Sequence, residues 1–95
     1  MSRQFYVYIM TNQADRVLYT GVTNDLKKRV WQHRNGIGSE FTKRYKLHKL
    51  VYYEIAEEPY AAITREKQIK AGSRQKKLDM INGFNPEWRD LYNGL

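Results

Sequence analysis

Cysteine is absent from this 95-residue chain, and proline occurs twice, at Pro59 and Pro86. Without a thiol there is no disulfide framework, no thiolate zinc site and no cysteine nucleophile, a pattern that suits a reducing compartment. Histidine is nearly as scarce, with His33 and His48 alone, so zinc chemistry falls away too. No G-x-S-x-G elbow, P-loop or G-x-G-x-x-G run occurs, which removes the corresponding hydrolase and nucleotide-binding classes. No apolar run reaches membrane-spanning length, and the start Met1-Ser2-Arg3-Gln4 leads into aromatic alternation, unlike the apolar core of a signal peptide. These absences predict a soluble, cytoplasmic protein that does not cross a membrane. Acidic residues are also in the minority, 10 against 17 Lys and Arg, for a net charge of +7. Such a balance favours a polyanionic partner, nucleic acid first and membrane phosphates second.

What is present is enough for one packed core: 41% hydrophobic and 14% aromatic residues in a length suited to a single domain, residues 1–95. The run Phe5 to Met10 is β-branched and aromatic, as is Val17 to Val22, and Asn12 to Asp15 supplies turn residues between them. They predict a hairpin. A turn centred on Gln13 and Ala14 would pair residues whose numbers sum to 27 and set Tyr8 directly opposite Tyr19. Thr23-Asn24 offers a helix cap, Asp25 complements the dipole, and Leu26 to Asn35 forms a helix stopped by Gly36. Ile37 to Lys46 reads as an exposed basic loop. A third strand follows at Leu50 to Ile55, then helices at Tyr60 to Ala71 and Arg74 to Asn82, with a tail whose Phe84, Trp88 and Leu91 dock on the core. The order ββαβαα implies an α+β domain with a small three-stranded, mostly antiparallel sheet flanked by helices.

Several polar residues stand where periodicity calls for apolar ones. On the second long helix Ala62, Ile63 and Ile69 mark the inward stripe, and Glu66 falls near its centre. An inward carboxylate needs a positive partner or a metal ion; an ion pair and a divalent-metal site both satisfy that, and the ligand chemistry suits Mg²⁺ or Mn²⁺. On the first helix Arg29 and His33, four residues apart, project side by side. They are either a pair for one anion or part of a solvated basic face that includes Lys27, Lys28 and Arg34. Tyr8 and Tyr19 are either a packing pair or reactive phenols. Trp31 and Trp88 read as core or tail anchors. Together, two phenols, an Arg/His pair and an inward Glu in a basic domain describe a site for cutting or holding a phosphodiester.

In order and spacing these residues resemble the GIY-YIG nuclease superfamily, in particular its small stand-alone bacterial branch, over nearly the whole chain. Tyr6-Val7-Tyr8 stands where that family has GIY, and Tyr19-Thr20-Gly21 where it has YIG. Arg29 and His33 are similar to its helix Arg and the His or Tyr one turn later, Glu66 to its metal-binding Glu, and Asn85 to its late Asn. Tyr6 for the first Gly and Thr20 for the Ile are departures, and neither removes a reactive side chain. The resemblance implies metal-dependent endonuclease chemistry. Tyr8, Tyr19, Arg29, His33, Glu66 and Asn85 would form the catalytic set, with Glu66 holding one Mg²⁺ or Mn²⁺, Arg29 neutralising phosphoryl charge and a tyrosine activating water. Nucleic acid, DNA before RNA, is the implied partner. Lys28, Lys43, Arg44, Tyr45, Lys70, Arg74, Lys76 and Lys77 would dock its backbone, with target selectivity coming from these or from a partner protein. The same pattern also admits a binding module of this fold that does not cleave, or a basic protein bound to ribosomal or membrane surfaces.

Overall fold

A computed structural model describes residues 4–95; Met1 to Arg3, the beginning of the expected N-terminal run, lie outside the described residues. Alternating bulky residues carry β1 (Phe5–Thr11) through the middle of a sheet of order β2-β1-β3, with β2 (Leu18–Thr23) and β3 (Lys49–Ala56) both antiparallel to it. Successive side chains of β1 point to opposite faces. Val7 and Ile9 meet Val51, Ile81 and the buried stripe Ala62 and Ile69 on one side, whereas Tyr8 and Met10 meet Leu26, Val30, Leu47 and Leu50 on the other. Helices α3 (Pro59–Ala71) and α4 (Arg74–Phe84) carry the apolar partners of the first side. Helices α1 (Leu26–Arg34) and α2 (Glu40–Arg44) belong to the second. The three-stranded antiparallel α+β architecture is therefore the one that the pattern indicates, with one short helix more.

Four expectations need correction. The hairpin register sums to 29, so Tyr8 pairs with Gly21 and Met10 with Tyr19. The cause is the Asn12 side chain: its Oδ1 accepts from Arg16 N at 2.8 Å and Val17 N at 3.2 Å, while Asp15 N donates to Asn12 O at 3.0 Å. These bonds hold six residues out of the ladder, two more than the pattern implied. The α1 cap is Asp25, which accepts from Lys28 N at 3.2 Å; Thr23 Oγ1 accepts the Asp25 N–H at 3.1 Å instead. The segment 37–46 is not simply an exposed loop. Ser39 caps α2, and Thr42 and the following Leu47 are fully buried. Finally, Ile63 and Trp31 are 43% and 50% exposed; α3 buries a narrower stripe than its composition allows, and Trp31 lies off the seam of Leu26, Val30 and His33.

The tail does dock. A bulge in β3 opposite Ile9 and Met10 breaks the ladder between Leu50 and Tyr52, and a bulged residue leaves backbone groups without strand partners. Asn85 and Asp90 supply them: Asn85 Nδ2 donates to Val51 O at 3.2 Å, and Leu50 N donates to Asp90 Oδ1 at 3.2 Å. Trp88 packs against the apolar cluster and donates its indole N–H to Asn82.

Candidate active site

The hydrogen-bonding face of the sheet is built around Tyr8, which is 1% exposed. A residue with a Cβ opposite Tyr8 would have to displace the phenol, because a Cβ at Gly21 would lie 2.4 Å from the phenol oxygen. Tyr19, two residues along β2, shares this face, and the two rings stand 6.4 Å apart, diagonal to each other. From α1, His33 enters between them, with ring centroids 5.7 Å from Tyr8 and 5.4 Å from Tyr19. It is fully buried, so the solvated-face alternative does not describe it. Its Nε2 lies 2.7 Å from the Tyr8 hydroxyl, and its Nδ1 lies 2.9 Å from Thr42 Oγ1.

Arg29, one turn earlier on α1, is half-buried and anchored. It donates to Gly38 O at 2.9 Å and to Gln32 Oε1 at 3.0 Å, keeping further N–H donors for an anion. Gly38 is pressed against the site from the other side: a Cβ there would sit 2.1 Å from His33 Nδ1. Burial, then the neighbouring Tyr19, pushes the Tyr8 phenol above its ordinary value, with Arg29 opposing and Glu66 adding a smaller upward push. Burial, and after it the Arg29 charge, lowers His33 to about 4. At neutral pH the site holds a protonated phenol and a neutral imidazole.

Glu66 approaches from α3 with its side chain 15% exposed, and Lys70 Nζ, one turn on, lies 3.0 Å from its Oε2. The ion-pair alternative is therefore realised, and the carboxylate also acts electrostatically on Tyr8. Among the described residues no cluster of three or more His, Asp or Glu gathers in metal-holding geometry. Glu54 is committed to Arg65 and Tyr52, and Asp90 to Arg34.

The structure brings Tyr8, Tyr19, Arg29 and His33 together, with Glu66 within electrostatic reach. Asn85 stands apart: 6% exposed, it spends its carboxamide on Val51 O, on Arg89 O at 2.8 Å and on the N–H of Arg89 at 3.1 Å. Of the docking set, Lys28, Lys43, Arg44 and Lys76 are exposed. Lys70 pairs with Glu66, Arg74 donates to Arg16 O, and Lys77 donates to Gly72 O at 3.2 Å. Tyr45 ends an aromatic row that starts at the site. Tyr19 stacks on Phe41 at 6.0 Å, Phe41 meets Tyr45 at 4.8 Å, and Arg44 lies over the Tyr45 ring at 5.9 Å.

Sequence reasoning missed Gly38, Ser39 and Thr42, which all touch the His33 environment. The available signal was Ser39 placed three residues before Thr42, a helix-cap spacing inside a stretch that reads as loop.

Residues 4–79 match the model of the GIY-YIG catalytic domain. The chain belongs to the GIY-YIG nuclease family. A UPF0213 protein of Staphylococcus saprophyticus is 43% identical over 77 residues, which cover 81% of this chain and 93% of that one. One from Haloquadratum walsbyi is 39% identical over 80 residues, covering 84% and 89%. The solution structure of the UPF0213 protein BH0048 from Bacillus halodurans is similar with a TM-score of 0.59 at 26% identity, covering 92% of each chain. A GIY-YIG domain takes nucleic acid as substrate, so the tyrosine, arginine and histidine cluster lies on the sheet of a nuclease fold. Among the described residues no helix is long and apolar enough to cross a membrane.

Proposed function

We propose that this GIY-YIG protein is a divalent-metal-dependent endonuclease that hydrolyses phosphodiester bonds, in DNA before RNA, in the cytoplasm. The observation that carries the reading is the buried hydrogen bond between the Tyr8 hydroxyl and His33 Nε2, flanked by Arg29. A phenol titrates near ~10 and is a poor base by itself. With an imidazole behind it, the Tyr8 oxygen can take a proton from water while its own proton passes to His33 Nε2, so that neither group has to ionise first. Burial first, and the Arg29 charge after it, disfavour imidazolium in the free protein. An anionic phosphate on Arg29 would offset that charge, so substrate binding would raise the basicity of His33 at the moment it is needed. Arg29 would also neutralise charge developing on the phosphoryl oxygens.

Glu66 suits Mg²⁺ or Mn²⁺: it is a hard oxygen donor, largely buried, and Mg²⁺ takes one or two carboxylates and keeps several waters. Lys70, its ion-pair partner, would have to give way. Bound there, the ion would supply Lewis-acid polarisation of the phosphoryl oxygen. Tyr19 lines the site and begins the aromatic row, while Asn85 stands outside the reacting set as the clasp of the β3 bulge. Lys28, Lys43, Arg44 and Lys76 would meet phosphates, and Tyr45 would stack on a base. Lys70 would contribute to docking by leaving Glu66, whereas Arg74 and Lys77 keep their charge and further N–H donors while bonded to carbonyls, and further target selectivity would come from a partner protein.

Plasmid nicking with Mg²⁺ tests the reading. Arg29→Ala and Glu66→Ala, folded by circular dichroism, should each lose ~10²–10³ in rate. Wild-type-like cleavage by both would sink it. The Glu66–Lys70 ion pair favours one alternative, a binding module that does not cleave. On that reading divalent metal leaves nucleic-acid affinity unchanged and no nicking appears.

A further inference from the structure

Behind the tyrosine and histidine lies a second layer of hydroxyls that the nuclease reading does not use. Thr42 Oγ1 is 2.9 Å from His33 Nδ1, 2.8 Å from Ser39 Oγ and 3.2 Å from Ser39 O, and the whole group is buried or half-buried. Ser39 Oγ in turn accepts from Thr42 N at 3.1 Å as the α2 cap. Among the described residues no buried side-chain nitrogen or oxygen lacks a partner, so the protons can be assigned by following where each one must go.

Ser39 O is a carbonyl and can only accept, so a bond to it uses the single Thr42 hydroxyl proton. Thr42 Oγ1 is then left with two lone pairs, and its two other neighbours, Ser39 Oγ–H and His33 Nδ1–H, fill them. A proton on Nδ1 of a neutral imidazole leaves Nε2 bare, and the one group at Nε2 is the Tyr8 hydroxyl. The phenol oxygen meanwhile lies in the field of the Arg29 guanidinium, and its own proton needs an acceptor, which Nε2 provides. The reversed chain, with Thr42 donating to Nδ1 and Nε2–H donating to Tyr8, forfeits the Thr42 bond to Ser39 O and leaves that carbonyl with the Lys43 N–H at 3.1 Å as its partner. It also points the Nε2–H at the phenol oxygen and leaves the phenol proton no acceptor in the cluster.

We infer that Thr42, seated by Ser39, is the positioning residue that holds His33 in its Nδ1–H form and so makes Nε2 the acceptor of the Tyr8 hydroxyl proton. The role deepens the nuclease reading and rests on it for its consequence, but the proton positions are a property of the folded protein alone. Gly38 belongs to the same device, since its missing side chain is what lets α2 and its Thr42 approach Nδ1.

The test is long-range ¹H–¹⁵N spectroscopy on the full chain at pH 7.5, which distinguishes a protonated from a bare ring nitrogen. The chain has two histidines, and exposed His48 is the internal reference. Wild type and Thr42→Ser should show His33 with Nδ1 protonated and Nε2 bare. Thr42→Val, close in volume but without the hydroxyl, should move His33 toward the Nε2–H form. It should also lower kcat by at least ~10-fold with KM within about twofold, and Thr42→Ser should restore kcat. A wild-type His33 protonated on Nε2 overturns the inference even if Thr42→Val does not fold, and so does a folded Thr42→Val that keeps the wild-type pattern. Absence of cleavage by wild type counts against the nuclease reading, and the spectra still decide the tautomer.

Discussion

The two faces of the sheet are made by neighbouring residues of one strand, yet they solve opposite problems. Val7 and Ile9 face Val51, Ile81, Ala62 and Ile69, and none of these six side chains needs a direction: any well-shaped apolar partner satisfies a methyl group. Tyr8, between them in sequence, faces His33, Gly21, Tyr19 and Arg29, where each donor needs one particular acceptor at one particular distance. Tyr8 and His33 are buried as completely as the apolar side chains, while Tyr19 and Arg29 are half-buried. The first face holds the fold together, and the second uses that rigidity to keep a phenol, an imidazole and a guanidinium aligned.

The two faces should separate most visibly when the dry one is damaged. Ile81→Ala should cost ~2–5 kcal/mol in urea unfolding, and nicking per folded molecule should stay near wild type; a comparable loss of rate would mean the faces are not separable. Gly21→Ala should act on the other face for a smaller stability cost, about 1–3 kcal/mol, because its Cβ would meet the Tyr8 hydroxyl. Its signature is a loss of cleavage out of proportion to that cost, read from rates at a temperature where the variant is fully folded.

A pH titration sharpens the contrast further. His33 falls from an ordinary value near 6.5 to about 4 in the folded chain, so the unfolded chain takes up this proton first as the solution is acidified. Its contribution to stability is complete above about pH 6.5, declines between there and pH 4, and levels off below. Thermal melts across that interval should show a shallower decline in His33→Gln than in wild type. The smallest effect is expected outside both faces. Lys43→Glu with Arg44→Glu should weaken nucleic-acid binding and lower the slope of log affinity against log salt by roughly one for every phosphate that is no longer neutralised, with stability unchanged. An unaltered salt slope in fluorescence anisotropy would remove that segment from the docking surface.

Much of this was legible along the chain because it depends on local rules. Alternation in Phe5 to Met10 is a strand signal wherever it occurs, and Ser and Pro at the starts of α4 and α3 are cap or first-turn residues for reasons confined to one helical turn. Arg29 and His33 share a helix flank by spacing alone. The hairpin register was not legible, since it turned on whether the Asn12 side chain would capture two backbone N–H groups beyond the turn. Nor was the width of the α3 stripe, because Ile63 lies at its exposed border, although Ala62, Glu66 and Ile69 do turn inward as their spacing indicates.

The sequence by itself determined the class of fold, the identity of the polar residues set among apolar ones, and the chemistry those residue types permit. Only the tertiary structure decided which of them meet. Asn85 was drawn to a β3 bulge, and Thr42 out of a supposed loop to the back of His33. The reason is the short range of hydrogen bonds: they act over about 3 Å, and residues as far apart in sequence as Tyr8 and His33 come that close only after the helices have packed on the sheet.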